Sequence, residues 1–475
     1  MNISLKNIGI IKDSSIEING LTVITGQNNS GKTTVGKVLY SVFDAVSNLQ
    51  QKAENDRFIY AVKKIGEACE EFSFYRIMRR GRNSIKDECL RIFFSNAIED
   101  NVEVRQIDSY LLDLISAIRE LDISEEPYDY IMKKYRRKFL VTHDLEEQNN
   151  EDFFVKEKKI VLDILEKTYK NITSDTDLVD YAKQSINETL SIEFYGQIQP
   201  AALQDVESFI EINNEDKKCF AIKLYQNEIV ETDAPVYFYA PYKQAFFIDN
   251  PFVLDEPAFR KVTKYTTVST SYVNESRILT HDNKLKFFLN YSRPKTLLEG
   301  TIIEERYQKI KEKMDEILPG DFLFSEDERY YIQGGIKLKS ANMATGSKTF
   351  SIIKMLLERG MLDDGTILIL DEPESHLHPR WRNQLAEIIV LLVKEVGCHI
   401  LLTTHSSNLM LAVDAYMRKY QIENLCQFYQ TEHLEDGMFV NYRCVNDSLG
   451  DIYEDFVKYL SDVKMLRNDF LTNQE

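Results

Sequence analysis

No run of apolar residues in this sequence approaches the ~20 that a membrane-spanning helix needs. The amino terminus, Met1-Asn2-Ile3-Ser4-Leu5-Lys6, lacks the basic stretch and apolar core of a secretory signal. A cytoplasmic protein with no membrane role is therefore expected. Cysteine is sparse as well: Cys69, Cys89, Cys219, Cys398, Cys426 and Cys444 are scattered, with no CxxC pair. That argues against a disulfide framework and against a structural zinc site. Positive charge is outnumbered, 58 Lys and Arg against 76 Asp and Glu, for a net charge of −18. This balance argues against a surface that is basic all over and wraps nucleic acid through its phosphates. Two local clusters run against it: Arg76, Arg79, Arg80, Arg82 and Lys86, then Lys133, Lys134, Arg136, Arg137 and Lys138. They read first as solvated helix faces or partners of nearby carboxylates, and second as contacts to a phosphate backbone.

What is present suits a globular protein of two or three domains: 475 residues, 43% hydrophobic and 28% charged. The segments Ile3–Ile10 and Ser15–Ile18 alternate apolar and polar residues, and a turn at Lys12-Asp13 would make them a hairpin. Leu21-Thr22-Val23-Ile24 is a short apolar run suited to a buried parallel strand. A glycine-containing loop follows it, and Thr34–Asp44 continues as a helix.

From Ser47 to Glu228 glycine and proline become scarce and apolar residues recur every three or four positions, as in Ile107–Leu121 and Phe154–Tyr169. This predicts a mostly helical insertion with a strand-like piece near Ser191–Tyr195. Beyond it, Pro235–Tyr239 reads as a strand, Thr301–Leu318 as an amphipathic helix, Asp321–Lys339 as strands and turns, and Lys348–Arg359 as a helix closed by Gly360. Two apolar strands, Thr366–Leu370 and His399–Thr404, flank the helical pattern Arg380–Val396, a βαβ unit with a parallel sheet. The expected division is thus residues 1–46 and 229–475 as one split α/β domain, with residues 47–228 as the insertion.

Gly26-Gln27-Asn28-Asn29-Ser30-Gly31-Lys32-Thr33 satisfies GxxxxGK[ST] at every required position, with Thr34 following. Glycines let the backbone bend tightly and bring N–H groups to phosphate oxygens, and the helix start adds its positive dipole end. Lys32 is the candidate cation for the β- and γ-phosphates, and the Thr33 hydroxyl the candidate ligand for Mg²⁺. ATP with Mg²⁺ is the expected nucleotide. The strand Thr366–Leu370 runs into Asp371-Glu372, and ligands of parallel sheets bind at carboxyl ends of strands. There Asp371 can hold the Mg²⁺ or its waters, and Glu372 can act as the general base. The strand His399–Thr404 ends in His405, an imidazole placed to sense a γ-phosphate.

Asp371-Glu372-Pro373-Glu374-Ser375-His376-Leu377-His378-Pro379 and Thr403-Thr404-His405-Ser406 resemble the DEPExHLHP and TTHS motifs of ABC-type ATPases related to SMC, RecF and OLD proteins. The phosphate loop and the hairpin before it resemble the same group. The resemblance covers about Met1–Asp44 and Thr301–Val413. It implies an α/β ABC-ATPase head, with an N-terminal antiparallel hairpin and a parallel sheet flanked by helices, interrupted by a large mostly helical insertion. It also implies ATP sandwiched between two heads, in a homodimer or a higher homo-oligomer built from such dimers. Each site would be completed in trans by a signature loop, here Thr345, Gly346, Ser347 and Lys348 after Ala344, which departs from the usual LSGGQ. The glutamine that usually joins the metal has weak candidates in Gln197, Gln199 and Gln244. His376 and His378 fall in a dimer-contact loop by resemblance, rather than in a metal site.

An OLD-type nuclease would carry a glutamate and a DxD pair after His405, and the residues there contain no DxD. No built-in nuclease is expected. By resemblance, similar to Septu or PARIS types, the chain is expected to be the slow ATPase of a bacterial anti-phage system. It would control a separately encoded effector such as a nuclease, triggered by nucleic acid or a phage protein. The alternatives are a transporter's ATPase subunit, an SMC/RecF-like repair or recombination ATPase, and a scaffold clamped by ATP with negligible turnover.

Overall fold

The computed structural model describes residues 1–71, 107–120, 150–174, 177–203, 205–214, 217–233, 242–255, 280–290, 297–325 and 328–450, with 453, 461 and 465. Both basic clusters, Cys89 and the strand expected at Pro235–Tyr239 lie outside those residues. The chain divides into two compact units: Met1–Ser47 with Ala182–Arg260 and Ile278–Glu475, and Asn48–Tyr181 with Lys261–Arg277. Among the described residues no helix is long and apolar enough to cross a membrane.

The first unit opens on β1 (Asn2–Ile8), β2 (Ile11–Glu17) and β3 (Leu21–Thr25), followed by α1 (Lys32–Val46). β1 and β2 pair antiparallel with Ile8 opposite Ile11. The hairpin turn is thus Gly9-Ile10, and the turn expected at Lys12-Asp13 is corrected: both residues lie within β2. Gly9 supplies the left-handed φ of 54° that a two-residue hairpin loop favours at its first central position. In both strands alternate residues are buried, among them Ile3, Leu5 and Ile16, because a strand's side chains alternate between faces.

In the second unit, α2 (Leu49–Glu71), α3 (Ile107–Glu120) and α4 (Asn150–Thr173) share a core. Phe58, Ala61 and Ile65 of α2 meet Leu111, Leu114 and Ile118 of α3 and Val161 and Leu165 of α4. Their spacing of three and four residues puts each set on one helix face.

The chain returns to the first unit within α5 (Leu178–Glu193). That helix covers most of the piece expected to be strand-like near Ser191–Tyr195. It ends in a turn where Tyr195 takes φ 52° and Gly196 φ 77°. Three strands follow: β4 (Ser208–Asn214), β5 (Lys217–Tyr225) and β6 (Glu228–Asp233). They join the main sheet through antiparallel pairing of β4 with β1, so β4, β5 and the first residue of β6, assigned to the helical insertion on composition, belong to the sheet. The period-two pattern Ser208–Ile210–Ile212, buried at alternate positions, is the physical reason.

Next come β7 (Gln244–Ile248), α6 (His281–Asn290) and α7 (Leu297–Ile317). A separate antiparallel sheet of β8 (Asp321–Ser325), β9 (Glu328–Gln333) and β10 (Ile336–Lys339) precedes α8 (Thr345–Glu358). Then β11 (Thr366–Asp371), α9 (Pro379–Leu391), β12 (His399–Thr404), α10 (Ser407–Tyr420), β13 (Cys426–His433) and β14 (Val440–Cys444) complete the unit.

The main sheet runs β6-β5-β4-β1-β2-β14-β13-β3-β12-β11-β7. From β13 to β7 all neighbours are parallel. The fold is α/β, with a limb on one side of the parallel strands that is antiparallel except where β14 meets β2. β3, β11 and β12 are apolar on both faces because helices cover the sheet, and each fully buried Ile or Leu contributes roughly 1.5–3 kcal/mol. Parallel pairing also brings the carboxyl ends of β3, β12, β11 and β7 to one edge.

Candidate active site

The phosphate loop leaves the carboxyl end of β3 and enters α1 at Lys32. Gly26 admits no side chain, since a Cβ there would stand 1.8 Å from the Thr431 hydroxyl. Asn29 and Gly31 take φ values of 59° and 76°, and Gly31 caps α1 with no side-chain hydrogen bond. A helix start without a side-chain cap presents its N–H groups and its positive dipole end to an anion. Two hydroxyls hold the loop from outside and within: Tyr442 donates to the Gly31 carbonyl at 2.7 Å, and Ser30 to the Gln27 carbonyl at 2.7 Å. Burial, then the charge of Asp371, pushes the Tyr442 phenol up, so it stays a donor. Thr34 donates its backbone N–H to Gly31 at 3.0 Å.

Lys32 is buried, with its ammonium 2.7 Å from the Gln27 carbonyl, 3.1 Å from the Gly26 carbonyl and 3.3 Å from Glu372 Oε1. Its charge is thus held inside the curl of its own loop and faces the acidic strand end. Thr33 donates to Asp371 Oδ2 at 2.6 Å, and Thr403 of β12 donates to the other oxygen, Oδ1. Burial raises the Asp371 pKa. The two threonine hydrogen bonds oppose that rise, and the charges of Glu372 and Asp249 add to it. A hydroxyl beside a desolvated carboxylate with acidic neighbours suits a hard divalent cation, which favours oxygen ligands and offsets the crowded charge. The residues present fit Mg²⁺.

Glu372 occupies the left-handed region at φ 47°, which costs a non-glycine residue roughly 1–2 kcal/mol. Its backbone N–H is secured by the Thr403 carbonyl and hydroxyl, both at 3.1 Å. The side chain lies between Lys32 and His405, whose Nδ1 is 3.2 Å from Glu372 Oε2. Behind His405, Glu374 is completely buried and accepts from the Thr404 hydroxyl and from the His405 backbone N–H at 3.2 Å. Burial raises its pKa, partly offset by those hydrogen bonds and by His405.

Lys32, Thr33, Asp371, Glu372 and His405 therefore converge, from strand ends far apart in sequence. Sequence reasoning assigned no role to Glu374, Thr403, Tyr442 or Asp249. Asp249 follows the apolar strand Ala245–Ile248 just as Asp371 follows Thr366–Leu370, and that repeated pattern was the available signal. None of the three glutamines meets this edge at the end of β7. Gln244 begins that strand and donates to Met361 and Thr366 (3.1 Å). Gln199 is buried against Val206 and Ser208, and Gln197 is an exposed turn residue.

Thr345–Lys348 begin α8, which also lacks a side-chain cap at Ala344. Gly346 is packed tightly, since a Cβ there would lie 3.0 Å from Leu377 and 3.1 Å from the His376 carbonyl. Ser347 closes the first turn by donating to Ala344 at 2.9 Å. The Lys348 ammonium is buried against Asp255 at 2.6 Å, so it is tied to its own chain. His378 caps α9 by accepting from the Arg380 N–H at 3.3 Å, and the exposed His376 ring stands edge-on to Phe252.

The sequence profile of the AAA ATPase domain family matches residues 1–410. The chain belongs to that family. A comparison with curated protein sequences gives no match. Among solved structures, an SMC head bound to the C-winged helix domain of ScpA is 12% identical, with a TM-score of 0.39, covering 95% of this chain and 98% of that one. The SMC head domain from Thermotoga maritima is 9% identical, with a TM-score of 0.35, covering 94% and 98%.

Proposed function

We propose that this AAA ATPase domain protein binds ATP with Mg²⁺ on Gly26–Thr33 and hydrolyses it slowly. The Thr33–Asp371 hydrogen bond carries this reading, because it joins the phosphate loop to the acidic strand end in one site. Lys32 would exchange its loop carbonyls for the β- and γ-phosphate oxygens. Thr33 and Asp371 would hold Mg²⁺, which neutralises charge on those phosphates. Glu372 orients a water and takes its proton, and His405 fixes that carboxylate through Nδ1. Titration of the purified chain with ATP, followed by phosphate release with and without Mg²⁺, tests this. The absence of both binding and release in the presence of Mg²⁺ would contradict it.

The finer reading is a homodimer with ATP sandwiched between two copies, Thr345–Gly346 of each offering a hydroxyl and N–H groups to the other's γ-phosphate. The uncapped start of α8 supports that role, which rests on the backbone and Thr345 rather than on Lys348. The ATP-bound dimer would control a separately encoded nuclease in anti-phage defence. The second unit, with its own core, would supply the docking or sensing surface. The competing use is DNA repair of the SMC/RecF kind, which would require DNA-stimulated turnover. Light scattering on Glu372→Gln with ATP should give a dimer; a monomer removes the sandwich.

A further inference from the structure

The apolar run Ala245–Ile248 of β7 ends at Asp249, on the same sheet edge as Asp371. α6 begins there with His281 and Asp282, and α5 ends there with Glu193. These four side chains form a cluster beside the hydrolytic site, to which the proposed hydrolysis assigns no role.

His281 is the centre of the cluster and is held firmly. Its Nδ1 lies 2.6 Å from Glu193 Oε2, and its backbone N–H donates to Glu193 Oε1 at 2.9 Å. The Phe247 ring lies 4.6 Å away and the Tyr40 ring meets it edge-on. Glu193 is itself buried, so the imidazole cannot swing. That leaves Nε2 aimed at Asp249 Oδ1, 3.2 Å away, and Asp282 Oδ1, 4.0 Å away. Nε2 is sealed from solvent, and its nearest neighbour is the Asp249 carboxylate.

One donor atom from each of Asp249, His281 and Asp282 falls within 4.8 Å of the others. Ligand atoms around a cation at ~2.0–2.2 Å stand roughly 3–4 Å apart, so a small closing of the aspartates completes the set. A carboxylate on the far nitrogen of a ligating histidine is the usual arrangement for fixing its tautomer and raising its basicity. Three carboxylates around one imidazole also outweigh the positive end of α6, which on its own would disfavour a cation.

We propose that Asp249, His281 Nε2 and Asp282 bind one divalent transition cation, with Glu193 as the orienting carboxylate behind the ring. One imidazole with two carboxylates suits Mn²⁺ or Zn²⁺ better than Mg²⁺, which takes oxygen ligands and retains its waters. The site adjoins that of Thr33 and Asp371, since Asp249 follows Ile248, the register partner of Leu370, but its ligand set is its own and it needs no nucleotide. The rival occupant of Nε2 is a proton, which would make the cluster a buried ion pair.

The test uses the full chain, stripped with chelator and kept free of nucleotide. Mn²⁺ is titrated by electron paramagnetic resonance, and Co²⁺ by its visible absorption. The wild type and Asp371→Asn should each bind one equivalent. Asp249→Asn and Asp282→Asn should bind at least tenfold more weakly, and His281→Gln should lose the Co²⁺ bands of a nitrogen ligand. Asp282 keeps 35% of its side chain accessible. Circular dichroism checks that Asp282→Asn, a near-isosteric change, keeps its fold. No binding in the wild type, loss of binding in Asp371→Asn, or unchanged binding in a folded Asp282→Asn would each overturn the assignment.

Discussion

Thr33 donates its hydroxyl to Asp371 at 2.6 Å across a sequence separation of 338 residues. The first stands in the opening turn of α1, which follows β3, the second at the end of β11, and β12 lies between those strands in the sheet. Thr403 of β12 binds the second Asp371 oxygen, so the carboxylate is gripped from both sides. Asp371→Asn should keep nucleotide binding within about tenfold and lower Mg²⁺-dependent turnover by roughly 10²–10³. Equal turnover in mutant and wild type across a Mg²⁺ titration would remove Asp371 from the site.

Gly26 has no room for a methyl group against Thr431. Gly26→Ala should therefore cost roughly 1–3 kcal/mol by overpacking and weaken ATP binding, both measurable by thermal melting with and without nucleotide. Adding Thr431→Ala removes the nearest atom and should restore part of each. A Gly26→Ala protein that melts and binds like the wild type would show that the loop does not need this close approach.

Glu374 is a carboxylate whose folded pKa is raised by burial. The stability such a group supports is complete below its unfolded pKa of ~4.3 and is lost as pH rises through the folded value. Glu374→Gln, which keeps an acceptor for Thr404, should therefore melt above the wild type at pH 7. The difference should close as pH falls toward ~4.3. A wild type that is the more stable protein at pH 7 contradicts this.

Lys348 and Thr345 separate two roles within one helix start. The Lys348 ammonium is buried on Asp255, so Lys348→Met should cost roughly 1–3 kcal/mol, a buried-pair loss discounted for the partial exposure of Asp255. Thr345→Ala should leave the melting temperature within a degree or two and lower turnover instead. Melting curves and phosphate release on both variants distinguish them; the reverse pattern would move the functional role to Lys348.

The phosphate loop was legible because its chemistry is contiguous: glycines, lysine and threonine occupy fixed positions in eight residues. Asp371, Glu372 and His405 were legible because an apolar parallel strand announces its own carboxyl end. Asp249 was not, since the resemblance directed attention to a glutamine, and Gln244 turned out to anchor the opposite end of β7. Tyr442 and Thr431 reach the loop from β14 and β13, a contact set only by the order of strands in the sheet. The strands over 208–233 were hidden by charged residues on their outward face, which imitate the composition of the helices before them. The hairpin turn was displaced because Lys12-Asp13 looks like a turn, whereas Gly9 supplies the backbone geometry.

The central claim is that Glu372, held between Lys32 and His405, is the base for hydrolysis. The most direct measurement is ATP binding and phosphate release by Glu372→Gln in Mg²⁺. The expected result is ATP affinity close to that of the wild type, with turnover lower by roughly 10²–10⁴. Turnover at the wild-type rate in a protein that binds ATP normally would contradict the account.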